Sequence, residues 1–172
     1  TGGNPNYECC ENHGAVTALS MATGEKLWEY HTMPSAEYNG MVSATGVKQR
    51  GPSGAPIWTT PTIDAKRGQV IVTTGENTSH PTTGTSDAII ALDLETGEEN
   101  WVFQALENDM WNFACSANGP NCIILADTNS VDFDFGGPAI LVESDGRELL
   151  VAGQKSGDLW ALDPATGAVV WT

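Results

Sequence analysis

Ala91-Leu92-Asp93-Leu94-Glu95-Thr96-Gly97-Glu98-Glu99-Asn100-Trp101 decides the fold, because the chain carries the pattern three times. The other copies are Ala18-Leu19-Ser20-Met21-Ala22-Thr23-Gly24-Glu25-Lys26-Leu27-Trp28 and Ala161-Leu162-Asp163-Pro164-Ala165-Thr166-Gly167-Ala168-Val169-Val170-Trp171, with the tryptophans 73 and 70 residues apart. Each copy reads as a β-hairpin. A β-rich run enters Ala-Leu, an Asp side chain accepts backbone amides at the turn, and Gly supplies the positive φ before the chain returns. Ser20 stands in place of Asp in the first copy, where a hydroxyl does the same job more weakly. The Trp falls at a fixed place on the return strand, so its face can pack against the next hairpin of the same type. Hairpins docking on their own kind form a stacked or radial all-β array, a β-propeller or a β-solenoid.

Working outward, further strand-like runs cover residues 58–63, 69–73, 138–142 and 148–152. The turns Asp64-Ala65-Lys66-Arg67-Gly68 and Ser144-Asp145-Gly146-Arg147 join them in pairs. Four short antiparallel strands in about 70 residues make one propeller blade. A helical reading survives only for one or two turns within residues 104–114. The expected architecture is all-β, about two to three blades of a propeller, fewer than the roughly 4–8 of a closed ring. With Thr1 at one end and Trp171-Thr172 closing on an alternating strand, the chain reads as a fragment of one propeller domain spanning residues 1–172.

Composition narrows the function classes. The 172 residues include 22 acidic and 7 basic side chains, for a net charge of −15. Nucleic acid is an improbable partner for such a surface, because phosphate binding needs a basic face. Charged residues make 17% and hydrophobic residues 40%, which is the balance of a folding chain rather than a disordered one. The 19 Gly and 9 Pro favour turns and short elements over long helices. No apolar run approaches the ~18 residues of a membrane span.

Several short motifs carry chemistry. Cys9-Cys10 is compatible with a strained vicinal ring, with two ordinary thiols, or with two separate partners. Cys115 and Cys122 bracket a turn-rich loop able to bring their sulfurs together, and four cysteines without a Cys-x-x-Cys pair favour an oxidising compartment over a zinc site. His13, His31 and His80 show no ligand spacing. The segment Gly51-Pro52-Ser53-Gly54-Ala55-Pro56-Ile57-Trp58 ends in an indole that is either core or a platform for a planar ligand. Glu76 and Asn77 follow a strand and offer oxygens of the kind hard cations take, although turn capping is the commoner use. Asn108-Asp109-Met110-Trp111-Asn112 gathers an acid, an indole and an amide just before Cys115.

Taken together, these motifs resemble the quinoprotein alcohol dehydrogenases, eight-bladed propellers holding pyrroloquinoline quinone (PQQ) and calcium on the central axis. The repeated hairpin resembles that family's tryptophan-docking motif. Tyr7-Glu8-Cys9-Cys10, the Gly51–Trp58 segment, Asp109-Met110-Trp111-Asn112-Phe113-Ala114-Cys115 and Val151-Ala152-Gly153-Gln154-Lys155-Ser156-Gly157 are similar to its polyvinyl-alcohol dehydrogenase subgroup. The resemblance implies that Trp58 stacks on one face of the quinone and an oxidised Cys9–Cys10 ring covers the other. It implies that Lys155 contacts the quinone's reactive edge, and that Glu76 or Asn77 supplies an oxygen to calcium, with Glu8 a further calcium ligand.

One departure bears on the chemistry. The family commonly has Trp-Asp where this chain has Trp111-Asn112, and an amide is no proton acceptor, which leaves Asp109 as the favoured base, a different arrangement of proton removal, or an inactive site. The implied activity is oxidation of a primary or secondary alcohol, polyvinyl alcohol included, in the periplasm or outside the cell. Electrons would pass to a cytochrome c, with any haem c held outside this segment because no Cys-x-x-Cys-His occurs in it. Of the basic residues, Lys48, Arg50 and Lys155 remain near cofactor-like motifs. The alternatives are a non-enzymatic propeller scaffold of the outer-membrane assembly type and a quinoprotein acting on sugars or small alcohols.

Overall fold

The computed structural model describes residues 11–116, 118–120, 122 and 128–172. The strands are β1 (Ala15–Leu19), β2 (Lys26–His31), β3 (Glu37–Val42), β4 (Lys48–Gly51), β5 (Ser53–Gly54), β6 (Thr62–Asp64), β7 (Gln69–Thr73), β8 (Asn77–Ser79), β9 (Ala88–Asp93) and β10 (Glu99–Gln104). A single helical turn, α1 (Phe113–Ser116), precedes β11 (Ile140–Ser144), β12 (Arg147–Gly153), β13 (Leu159–Leu162) and β14 (Val169–Trp171). Strands β6-β7-β9-β10 and β11-β12-β13-β14 form two four-stranded antiparallel sheets, and β1-β2, β3-β4 and β5-β8 form two-stranded ones.

All three repeats fold as antiparallel hairpins with one register. Ala18 faces Trp28, Ala91 faces Trp101 and Ala161 faces Trp171, and each pair is followed by an irregularity that leaves the residue before the Trp unpaired. The small alanine leaves the indole room on its face of the sheet. Each turn is closed as its residue types dictate. Asp93 Oδ1 accepts the Glu95 and Thr96 amides at 2.9 and 2.8 Å, and Asp163 Oδ1 accepts the Ala165 amide at 2.8 Å. Ser20 Oγ accepts the Thr23 amide at the longer distance of 3.3 Å.

The tryptophans dock as expected. The Trp28 ring lies where a Cβ on Gly97 would come within 2.5 Å of it, and the Trp101 ring bears the same relation to Gly167. Both glycines have positive φ, 74° and 71°, so turn geometry and close packing both require the missing side chain. Trp28 Nε1 also donates to Leu94 O at 3.2 Å. Where Trp101 docks on the third copy, the corresponding carbonyl, Pro164 O, accepts from Gln69 Nε2 at 2.7 Å instead.

The core follows from this docking. Along β7 and β9, Val70, Val72, Ala88, Ile90 and Leu92 face the β1-β2 hairpin with Val16, Trp28 and Tyr30. Ile71, Ile89 and Ala91 face the opposite way, toward Phe135, Leu150, Ala152 and Leu162. The middle sheet is therefore buried on both faces, and its β-branched residues suit that environment. Each fully buried Val, Ile or Leu contributes about 1.5–3 kcal/mol relative to exposure. By contrast, β1 alternates exposed and half-buried residues, since one face alone is covered.

Two elements differ from the sequence reading. Residues 104–114 are not helical at their start: Gln104 ends β10, paired to Ala88, and its side chain donates to Thr83 O and Ser86 O, while the helical turn begins at Phe113. The strand read over residues 58–63 shrinks to β6, because Pro61 lacks the amide that a ladder requires. No described helix is long and apolar enough to cross a membrane.

Candidate functional site

Past the four-stranded sheets, distant segments run side by side. His13 bridges Gly54, Gly54 pairs with Asn77, Asn77 bridges Met110, and Asp109 bridges Asn129. The approach at Gly54 is so close that a Cβ there would come within 2.5 Å of Glu76 O and Thr78 N. This belt brings together, at one end of the sheets, residues that lie up to 116 positions apart. The Asn77 amide ties two of its members, donating to Asp109 O at 3.1 Å.

Beside the belt, the acids of Asp132 and Asp134 meet Glu76. One carboxylate oxygen from each of the three lies within 4.8 Å of the others. Asp134 Oδ1 accepts the Glu76 amide at 2.8 Å, an approach that depends on Gly75, where a Cβ would sit 2.6 Å from that oxygen. Lys155 Nζ joins them, 2.7 Å from Asp132 Oδ1 and 2.5 Å from Asp134 Oδ2. The same ammonium lies 5.1 Å from the centre of the Trp58 ring, which is 58% exposed.

The electrostatics are those of too many carboxylates around one cation. Burial, and then the neighbouring Asp134, push Glu76 up to about 9. Asp134 moves the other way: burial raises it, but hydrogen bonds from Glu76 and Lys155 outweigh that and lower it. The two carboxyl groups thus titrate as a coupled pair, Glu76 pushed up and Asp134 down. Burial pushes Asp87 up to about 8, aided by the charges of Asp109 and Asp134, and neither of its carboxylate oxygens has a hydrogen-bond partner among the described residues. Burial also raises Asp132, with Lys155 opposing. Burial works against the Lys155 charge, yet the hydrogen bonds to Asp132 and Asp134 more than offset it and raise its pKa.

Of the residues singled out in the sequence, Trp58, Glu76 and Lys155 converge here. Asn77 lies within the belt, fully buried, its side-chain oxygen accepting from both the amide and the hydroxyl of Thr83. Asp109 is also fully buried, and its two oxygens accept the Val131 and Phe133 amides at 3.2 and 3.3 Å. Asn112 caps α1 by accepting the Cys115 amide at 2.9 Å and donates to Thr78 O at 3.1 Å, so its amide is used at both ends. Cys115 and Cys122 are joined by a disulfide. Glu8, Cys9 and Cys10 lie outside the described residues.

Other groups fall differently from their sequence reading. Among the three basic residues near cofactor-like motifs, Arg50 pairs with Glu11 at 2.6 Å and Lys48 lies 5.5 Å from the Tyr38 ring centre, leaving Lys155 in the cluster. His13 Nε2 and His31 Nδ1 meet at 2.8 Å although 18 residues separate them, because the β1-β2 pairing sets Ala15 opposite His31. Asp132 and Asp134 were not singled out. Their signal is the interleaving of acids and aromatics in Asp132-Phe133-Asp134-Phe135, of which Phe135 is fully buried.

Antiparallel sheets docked face to face through Trp and Gly define a β-propeller, and the acid and lysine cluster beyond one end of the strands is its candidate site. The chain belongs to the family described as glucose/ethanol/alcohol dehydrogenase, PQQ β-propeller domain, whose model matches residues 3–172. It is 36% identical over 169 residues to a polyvinylalcohol dehydrogenase of Sphingopyxis sp. (strain 113P3), covering 97% of this chain and 26% of that protein. A polyvinylalcohol dehydrogenase of Pseudomonas sp. is 36% identical over 172 residues, with 98% and 26% covered. The chain therefore spans about a quarter of the length of the curated relatives it matches. Its fold is similar to that of the quinohemoprotein alcohol dehydrogenase of Comamonas testosteroni, with TM-score 0.59 and 20% identity over 93% of this chain and 24% of the other.

Proposed function

We propose that the full-length protein oxidises alcohols with bound PQQ and a calcium ion, and that residues 1–172 form part of its single propeller domain. The carrying observation is the convergence of Trp58, Lys155 and the Glu76, Asp132 and Asp134 carboxylates. The residues present fit both groups. An open indole face beside an ammonium suits a planar, anionic ring system, and a donor set of oxygens alone suits a hard cation. Glu76 and Asp87, both pushed up by burial and neighbouring carboxylates, mark a concentration of acid that the described residues do not pair with cations.

The quinone, when bound, supplies the two-electron acceptor for hydride from the alcohol carbon. Trp58 offers the face on which it rests. Lys155, held charged by Asp132 and Asp134, stabilises negative charge developing on an oxygen placed at its ammonium. Glu76, with Asp132 and Asp134 beside it, would hold the calcium ion, a hard cation suited to carboxylate oxygens. Asn77, with both ends of its amide engaged, contributes by fixing the belt behind Glu76. The Cys9–Cys10 ring and Glu8 complete the cofactor's surroundings in this reading. Removal of the hydroxyl proton falls to a carboxylate of this region; Asp109, which the sequence favours for it, is fully buried with both oxygens accepting backbone amides.

The 36% identity to two polyvinylalcohol dehydrogenases supports a secondary alcohol, polyvinyl alcohol included, as substrate. A cytochrome c is the proposed electron acceptor. The Cys115–Cys122 disulfide supports a periplasmic or secreted location. The test is full-length protein reconstituted with PQQ and calcium and assayed for dye reduction driven by polyvinyl alcohol and simple secondary alcohols. Alcohol-dependent dye reduction is expected; its absence with quinone demonstrably bound overturns the proposal.

A further inference from the structure

We propose that Asp109 is a positioning residue, whose carboxylate grips the two backbone amides flanking Asp132 and thereby presents the Asp132 side chain to Lys155. The geometry is a two-point hold. The Val131 amide donates to Oδ1 and the Phe133 amide to Oδ2, so the Ser130–Val131 and Asp132–Phe133 peptides both turn toward one buried side chain. Residue 132 is driven outward between them. It has φ of 58°, a left-handed conformation that is uncommon for a side-chain-bearing residue and that Asp reaches more readily than most. Its carboxylate, 32% exposed, then lies 2.7 Å from Lys155 Nζ.

The grip is itself anchored. Asp109 bridges Asn129, Met110 N donates to Asn129 O at 3.2 Å, and Asn129 N donates to Asn108 O at 2.9 Å. The Asn77 side chain holds the Asp109 carbonyl from the other side. Asp109 is thus fixed to the belt before it acts on the 131–133 segment. Lys155 is fixed from below, its amide donating to Asp134 O at 2.9 Å. What remains adjustable is the position of its ammonium, and Asp132 and Asp134 set it.

Charge makes the choice of side chain informative. The charge of Asp109 is among the causes that raise Asp87, so an acid at position 109 adds to repulsion already present. An isosteric Asn would avoid that charge, but it has a single acceptor atom and would turn an N–H group toward one of the two amides. A carboxylate is the side chain of this size that accepts at both ends. The sequence spacing that suggested Asp109 as a base is explained equally by this role, in which it acts through Asp132.

The proposal uses the function above only in naming what Lys155 serves, and its test needs neither quinone nor turnover. Reductive methylation of lysines in the full-length protein, read by peptide mass spectrometry, reports how tightly each ammonium is held. In Asp109→Asn the Lys155 rate is expected to rise severalfold, and Asp132→Ala should raise it by a similar factor. The double variant should exceed neither, because one path carries both effects. Lys66, paired with Glu148 at an outer turn, is the internal control and should keep its rate. An unchanged Lys155 rate in Asp109→Asn, multiplicative effects in the double variant, or an equal rise at Lys66 overturns the proposal. Should Asp109→Asn fail to fold, hydrogen exchange in the unaltered protein decides: the 131 and 133 amides should exchange slowly and together, and fast exchange of either contradicts the grip.

Discussion

Asp87 precedes strand β9 and Asp93 ends it, six residues apart, and they meet opposite fates. Asp93, at the hairpin turn, accepts the Thr96 and Glu95 amides, and these bonds lower its pKa. Asp87, at the other end, is fully buried with neither oxygen partnered among the described residues, and is pushed up to about 8. The difference teaches how the two ends of the sheet divide labour. At the turn end, carboxylates are satisfied by the backbone that they help to fold. At the belt end, Glu76, Asp87, Asp132 and Asp134 gather near one lysine that pairs with Asp132 and Asp134 alone, an excess of acid among the described residues that fits the proposed cation.

The largest effects should come from breaking the turn end. Trp101→Ala removes the indole that packs on Gly167 and should lower the stability of the full-length protein by about 3 kcal/mol in denaturant unfolding. Gly97→Ala should cost somewhat less, roughly 2 kcal/mol, through its positive φ and its collision with Trp28. Losses well under ~1 kcal/mol for both would mean that docking does not hold the sheets together.

An intermediate effect should come from pH. Glu76 and Asp87 have ordinary values of 4.5 and 3.8 but about 9 and about 8 in the fold, so the folded protein binds more protons than the unfolded chain in between. Stability of the cation-free protein should therefore fall as pH rises from about 5 to about 9. A thermal melting series in chelator checks this, and a Tm that climbs over that window would contradict the burial of these acids. Asp87→Asn should flatten the slope.

The smallest effect belongs to Asp93→Ala, which removes two hydrogen bonds at an exposed turn. It should lower Tm slightly near neutral pH. Because the folded pKa is depressed, its contribution is present above the ordinary value of 3.8 and is lost as pH falls through the lower folded value. Wild type and variant should therefore converge in strong acid, and a difference that persists there would show that the carboxylate's charge is not what closes the turn.

The sequence revealed the turn end far more fully than the belt end, and distance explains why. Ala91, Asp93, Gly97 and Trp101 act within one hairpin, so their spacing is a direct image of their geometry. Even the weaker hydroxyl at Ser20 is visible in its longer bond. The belt instead joins His13, Gly54, Asn77, Met110 and Asn129 through pairings that no local pattern announces. Trp58, Glu76 and Lys155 were recognisable by resemblance to known motifs, whereas Asp132 and Asp134 enter the cluster only once Gly75 admits Asp134. The short polar strands β3 and β4 escaped notice for the same reason, since neither shows a strong apolar alternation.

The claim that the belt end is built for a cation is tested most directly by calcium titration of chelator-treated, full-length protein at pH 8, followed by Tm. Wild type should gain stability with increasing calcium, and Glu76→Gln, which keeps the size of the side chain but not its charge, should lose most of that gain. A wild-type Tm indifferent to calcium, or an equal rise in Glu76→Gln, would contradict the account.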